Sequence, residues 1–420
     1  MQYYWSMTIL EKFSSLSIWH SQARLAVIAR VSLLLAVLGS SNQWVSALQV
    51  MDLYSHKLQV VSESSSDRNR AFSDALAAVI VKVTGEQRWL LDPAIIQAVN
   101  NAASYVERVT SSVETKTIEV LPEIPTEQTS GDPLPQDGQS ALSESSPSPD
   151  GAEVVPETQV VEQRFINVEF SESLINELLL EAKIPLWDAN RPSVLVWMAL
   201  QDEAGERSFL NREEHSDIVE LIQAFAQTRG LPIIFPVLDF EDRRNLNEDA
   251  IWSLDEETIR SASVRYGADS IMSGRLHFTA GGELVGVWQF MFQDQLVRFD
   301  SVDLELESYI NAPLDKITTQ LANFFAIVPE PDRLQLALLR VDGVGNLQDY
   351  SSLLSYITNL GLVEGVTTKS LEGQRLELSL SLVGEPNQLA ELIALDRDLL
   401  PISHDEGEEG GTSFHYRWTR

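Results

Sequence analysis

Val194-Leu195-Val196-Trp197-Met198-Ala199-Leu200 is apolar at every position, and this run limits the possible folds more than any other feature. A strand with one wet face alternates apolar and polar residues, whereas an unbroken apolar strand needs cover on both faces. Helix signals stand on either side of it. Residues 171–182 and 217–229 are amphipathic, the second ending at Gly230, and residues 231–238 read as another buried strand. Residues 248–266 read as a helix ended by Gly267, residues 270–276 and 284–292 as strands, and residues 309–327 as a closing helix. Helices alternating with buried strands predict an α/β sandwich with a mostly parallel sheet over residues 163–330.

A smaller α/β module is predicted over residues 48–110. Residues 48–61 are strand-like, and a helix begins near Asp67. Its apolar positions Phe72, Leu76, Val79, Ile80 and Val83 lie on one face, and Gly85 follows where a left-handed cap belongs. A second, shorter helix starts at Pro93. Residues 331–420 read strand, helix, strand, strand, helix, strand, the βαββαβ order of a ferredoxin-like domain. The fold class is therefore α/β in its modules and α+β overall. Between the first two modules, residues 111–162 are rich in Pro, Ser, Glu and Thr. Such a composition buries too little apolar surface to offset chain entropy, so a disordered acidic linker or insertion is predicted.

The 420 residues carry a formal net charge of −32 and no cysteine. The charge disfavours nucleic acid and anionic lipid as partners of the body. Lack of cysteine excludes disulfides, thiolate metal sites, cysteine nucleophiles and a lipid-modified N-terminal cysteine. Near the N-terminus, Arg24 and Arg30 precede an apolar run over residues 31–39, and Val45-Ser46-Ala47 presents small residues where a signal peptidase cuts. A permanent anchor needs about 20 apolar residues, so residues 1–47 are read as a signal peptide cleaved after Ala47. An uncleaved anchor and a buried helix are the competing readings, and translation starts at Met1 or Met7. The expected compartment is the periplasm, with no stable membrane segment after cleavage.

Four segments carry a family resemblance: Ala71 to Gly85 (AFSDALAAVIVKVTG), Ile184 to Trp197 (IPLWDANRPSVLVW), Arg229 to Asp242 (RGLPIIFPVLDFED) and Arg265 to Leu276 (RYGADSIMSGRL). Together they resemble the bacterial envelope family known as domain of unknown function 2066 (DUF2066). That family has no established activity, so the resemblance implies an envelope protein with no catalytic residues to carry over. The Tyr266-Gly267-Ala268-Asp269 segment is also similar to helix–Gly–strand segments of periplasmic accessory proteins, which implies binding or scaffolding.

Chemical motifs are weak. Gly343-Val344-Gly345 precedes a predicted helix, but Gln348 stands where a dinucleotide fingerprint needs its third small residue. A glycine turn capping a helix explains it better. No Gly-x-Ser-x-Gly elbow and no His-x-x-x-His pair occur, and residues 405–411 (DEGEEGG) lack calcium-loop spacing and read as a solvated hairpin loop. The most suggestive cluster is Asp239, Glu241 and Asp242, followed by Arg243 and Arg244, just past a predicted parallel strand where open α/β sheets bind ligands. Asp188, Asn190 and Arg191, beside Trp187, enter from a neighbouring loop, and Arg275 stands near the end of a third strand. These seven residues form a candidate site for a polar ligand or partner; helix capping and loop bracing by Asp239 and Asp242 is the competing reading. The expected function is a non-catalytic accessory protein binding another envelope protein, with no cofactor or metal. An envelope enzyme or ligand binder using residues 239–242 is the alternative.

Overall fold

The computed structural model describes residues 50–60, 64–120, 157–279, 281–328, 334–396, 398–406 and 412–419. The predicted signal peptide, residues 121–156 of the predicted linker and residues 407–411 of the acidic loop lie outside the described residues. The fold is mixed α+β, built on three sheets. Among the described residues no helix is long and apolar enough to cross a membrane.

The first sheet holds β1 (Ser55–Gln59), β2 (Val106–Val120) and β3 (Glu157–Phe170) in the antiparallel order β1-β3-β2. Helix α1 (Ser65–Thr84) starts at Ser64, whose hydroxyl accepts from the Asp67 N–H, and ends at Gly85 with φ +73°. Its stripe of Phe72, Leu76, Val79, Ile80 and Val83 packs on Val168 and Phe170 of the sheet. Helix α2 (Pro93–Asn100) and helix α3 (Glu172–Glu181) complete this core through Ile95, Ile175 and Leu179.

The disorder predicted for residues 111–162 is corrected at both ends. Val120 pairs with Glu157, so a long two-stranded ribbon continues well beyond β1. The reason is local: Val109, Thr110, Val113, Thr115, Thr117, Ile118 and Val120 are β-branched, and such residues favour strands. Averaging composition over the whole segment hides them beneath its Pro, Ser and Glu. The strand predicted over residues 48–61 is likewise trimmed to β1.

The second sheet runs β5-β4-β7-β8-β9, with β6 paired to β4. Its strands are β4 (Val194–Gln201), β5 (Arg207–Phe209), β6 (Ile233–Ile234), β7 (Ser270–Phe278), β8 (Leu284–Phe292) and β9 (Gln295–Asp303). Alternate residues of β4 feed two cores, as its unbroken apolar run requires. Val194, Val196 and Met198 join Ile218, Ile222, Ile310 and Ile317 of α4 (Ser216–Arg229) and α8 (Leu306–Phe325). Leu195, Trp197 and Ala199 face the short helices α5 (Phe240–Asn245), α6 (Glu248–Trp252) and α7 (Glu256–Ser263) through Leu246, Ile251 and Ile259.

Parallel pairing is limited to β4 with β6 and β7; the other pairs are antiparallel. The expectation of a mostly parallel sheet is thus corrected to a mixed one. Edge strands β5 and β9 carry polar residues and lack the apolar signal of β4. The single helix predicted over residues 248–266 breaks at Leu254, which sits at φ +55°, and Asp255 recaps the chain by accepting from the Thr258 N–H. Only Ile233–Ile234 of residues 231–238 pair as a strand.

The third sheet contains β10 (Gln335–Asp342), β11 (Val363–Glu372), β12 (Arg375–Leu382), β13 (Leu399–Glu406) and β14 (Thr412–Trp418), with helices α9 (Leu347–Thr358) and α10 (Pro386–Leu395). Its order is β11-β12-β10-β14-β13, and β14 runs parallel to β10. The ferredoxin-like βαββαβ expectation is therefore corrected to βαββαββ, with the last strand inserted between β10 and β13. Strand β13 escaped the sequence reading because Pro401 interrupts it. Proline fits an edge strand at a bulge, and the β13–β14 register shifts between Pro401 and Ser403. Of the acidic stretch predicted as a loop, Asp405 and Glu406 instead belong to β13 and pair with Ser413 and Thr412. The glycine turn at residues 343–345 leads into Asn346, which caps α9 by accepting from the Asp349 N–H. One apolar cluster runs from β4 and α8 through Phe325 and Ile327 into Leu362, Leu378 and Leu392 of this unit.

Gly274 of β7 stands opposite Trp288 of β8, and a Cβ on Gly274 would fall on the indole ring. Trp288 is almost fully buried. Gly274→Ala is expected to cost roughly 1–3 kcal/mol through overpacking, read as a lower urea midpoint at an unchanged slope.

Candidate functional site

The loop that enters β4 is the crossroads of the structure. Leu186 and Ile327 exchange backbone hydrogen bonds of 2.9 and 2.8 Å, and the Trp187 N–H donates to Val83 O at 2.8 Å. Asp188 accepts from the Gly361 N–H at 2.7 Å, and Asn190 Nδ2 donates to Leu392 O at 3.1 Å. One loop thereby touches the helix of the first unit, the end of α8 and two points of the third unit. Burial pushes the Asp188 carboxyl above its ordinary value, against the pull of its backbone donors and Arg191.

Arg191 lies at the centre with no exposed surface. Its Nε donates to Asp188 O at 2.8 Å. Nη1 donates to Arg229 O and Gly230 O, each at 3.0 Å, and Nη2 to Lys82 O at 2.7 Å and Trp187 O at 2.8 Å. All five guanidinium donors thus meet carbonyl oxygens. Three of these acceptors close the C-terminal ends of α1 and α4, where helix carbonyls lack partners and carry partial negative charge. The guanidinium also stacks on Trp187, 4.2 Å from the ring centroid. Loss of water pulls its pKa down to about 9, still protonated at neutral pH. Arg229, also buried, reaches from α4 to Gly85 O and to the Asp315 carboxylate of α8. Both capping glycines are needed at close range: a Cβ on Gly85 would meet Trp187 Cε3 at 2.5 Å, and one on Gly230 would meet Arg191 Nη1 at 2.7 Å.

Asp239, Glu241 and Asp242 gather elsewhere, around Arg265. Asp239 caps α5, accepting from the Glu241 and Asp242 N–H groups, and receives Arg265 Nη1 at 2.8 Å and Nη2 at 2.9 Å. Asp242 is 1% exposed and accepts from Arg265 Nη1 at 2.9 Å, the Leu238 N–H at 2.8 Å and the Tyr266 hydroxyl at 2.5 Å. Glu241 stays at the surface, 3.7 Å from Arg265. The Arg265 guanidinium holds Asp239 well below the usual carboxylate range. Both Asp239 and Asp242 are engaged in capping and bracing. Arg275 joins neither group: it donates to Trp252 O at 2.7 Å and lies over the Trp252 ring. The seven residues therefore fall into three separate places. Among the described residues, no group of three His, Asp or Glu side chains is arranged to hold a metal ion.

The sequence reading missed an open cleft of about 730 Å³ between the first two units, lined by residues 50–52 and 55–57, Lys82, Asn167, the last turn of α4 and Leu231–Pro232. Lys82 is 8% exposed and donates to Ser55 O at 2.8 Å and Asp52 O at 3.3 Å. Burial lowers its pKa, as does the charge of Arg191. The available signal was a lysine within the apolar stretch Val79-Ile80-Val81-Lys82-Val83.

These features define a mixed α+β protein whose polar interior is organised around helix ends. A family model described as "Domain of unknown function (DUF8605)" matches residues 47–188, about a third of the chain. This overturns the resemblance to DUF2066, a different family of unknown function. The segments that suggested it record packing: a helix closed by a left-handed glycine, or a glycine turn feeding a buried strand. No curated protein matches the sequence. Among solved structures, a crystal structure of an uncharacterized protein is 9% identical, covering 32% of this chain and 97% of its own, with a TM-score of 0.14. Allophanate hydrolase of Kluyveromyces lactis is 11% identical, covering 61% of this chain and 62% of its own, also at 0.14. Neither likeness carries an argument about function.

Arg191→Lys leaves three donors in place of five and loses the planar fork. It is expected to destabilise by roughly 3–5 kcal/mol, seen in calorimetry as a lower and broader transition. Arg265→Gln tests the second cluster. The Asp239 pKa is depressed in the folded state, so its contribution is present above its unfolded value of 3.8 and is lost as pH falls below it. In the variant, the fall of the urea midpoint between about pH 4 and 2 should be shallower than in the wild type.

Proposed function

We propose that this chain is an exported, non-catalytic accessory protein that binds another protein of the cell envelope. The observation that carries the binding half is the β2–β3 ribbon. Past the Gln59–Phe165 pair, β3 has lost its β1 partner, and among the described residues the outer edge of β2 pairs with nothing along its length. Residues 111–115 are exposed on both faces. An overhanging two-stranded ribbon gains little stability by itself, and an open edge offers unpaired N–H and C=O groups to an incoming strand. Export is supported by the order of features between Arg24 and Ala47, and the excess of negative charge favours a protein partner over nucleic acid. The alternative reading, ligand chemistry at residues 239–242, loses support because Arg265 already engages both Asp239 and Asp242.

Two measurements test the proposal. N-terminal sequencing of the mature chain should return Leu48 as its first residue; an intact Met1 or Met7 terminus counts against export. A photo-crosslinker placed at Ser112 should capture one envelope protein in cells. Replacing residues 114–163 by an Asn-Gly turn should abolish the adduct without lowering the melting temperature. Persistence of the adduct in that shortened chain, or turnover of a substrate by the pure protein, counts against the reading.

A further inference from the structure

The cleft between the first two units stands apart from the partner-binding reading and does not depend on it. Its charged lining is Lys57, Lys82 and Asp52, with the imidazole of His56 beside them. Lys57 is half exposed and paired with Glu114. Lys82 is enclosed: two of its three ammonium protons go to the Ser55 and Asp52 carbonyls, and the third has no acceptor among the described residues. Gly230, which forms part of the wall, packs against Arg191, whose donors are all taken by carbonyls.

The remaining lining is part apolar and part neutral polar. Val50, Met51, Ala224, Leu231 and Pro232 supply apolar surface, while Asn167, Gln227 and Thr228 add neutral polar groups. A volume of about 730 Å³ lies within the roughly 300–1,000 Å³ range of small-molecule sites, which favour junctions between units. His56 is held below its ordinary value by burial and by the Lys82 charge. It is therefore neutral at pH 7 and adds a hydrogen-bonding group rather than charge.

We infer that this cleft binds a small amphipathic anion, its carboxylate or phosphate head on the Lys82 ammonium and its apolar body along Val50, Met51, Leu231 and Pro232. The head group completes the hydrogen bonding of Lys82 and offsets the charge that burial makes costly. The apolar body covers Met51, which is 80% exposed.

Calorimetric titration of the mature protein with decanoate, decyl phosphate, decanol and inorganic phosphate tests this. The expected result is saturable one-site binding of decanoate and decyl phosphate, with decanol and inorganic phosphate each at least tenfold weaker. That pattern separates an amphipathic ligand from a free anion. Lys82→Met should weaken decanoate at least tenfold and leave decanol unchanged. Because a buried lysine also supports the fold, a second variant is used: Gln227→Trp, on the exposed face of α4, fills the mouth without touching the core. It should keep the wild-type melting temperature and abolish binding. The inference is overturned if decanoate does not bind, if decanol or inorganic phosphate binds as tightly, or if decanoate binding survives Gln227→Trp.

Discussion

Five carbonyl oxygens converging on the Arg191 guanidinium hold this molecule together. Burying an unpaired cation is costly, and an ion pair only partly recovers the loss. Among the described residues no carboxylate touches the guanidinium; the compensation comes from helix ends. The C-termini of α1 and α4 point at it, each with carbonyls its own helix cannot satisfy and the negative pole of a macrodipole. Each party supplies what the other lacks. Two helix ends that would otherwise need water are closed inside the protein, and the arginine is fully hydrogen-bonded.

That arrangement dictates several neighbouring features. Gly85 and Gly230 must be glycine twice over: both adopt positive φ, and both are pressed by a side chain of the junction, Trp187 on one and Arg191 on the other. Arg229 adds a second tie from α4 to Gly85 and Asp315, so α1, α4 and α8 form one bonded set. The same loop carries Asp188 and Asn190 to the third unit. Units with separate sheets thus share a single polar junction and, from β4 to α10, one apolar core.

How much of this could be read beforehand depended on whether side chains carried the information. The apolar run of β4, the stripe of α1 and the glycines at positions 85 and 230 were legible because burial and φ leave residue-type signatures. Edge strands β5, β9 and β13 were not, since a half-wet edge tolerates polar residues and even Pro401. The long ribbon was obscured by its flanking composition although its β-branched residues were in plain view. Arg191 was selected as a polar candidate, but its partners are backbone carbonyls, which have no residue type. Asp239 and Asp242 were recognisable as caps; that Arg265 would bind both, 23 to 26 positions away, followed only from the fold. Lys82 was overlooked because periodicity treats a lysine near a helix end as solvated.

The position of β14 has a consequence for the order in which the molecule is made. Strands β10, β11 and β12 with their helices are complete before Thr412 emerges, yet β14 lies between β10 and β13 and runs parallel to β10. Until it arrives, β10 presents an unpaired, largely apolar margin and β13 has no neighbour. A growing chain therefore carries an open sheet margin from the completion of β10 until β14 emerges, the last part of its synthesis and the condition under which intermolecular pairing competes with folding. For such a chain, the interval before the final strand inserts is the period of greatest exposure to misassembly, and any factor shielding nascent chains has most to protect there.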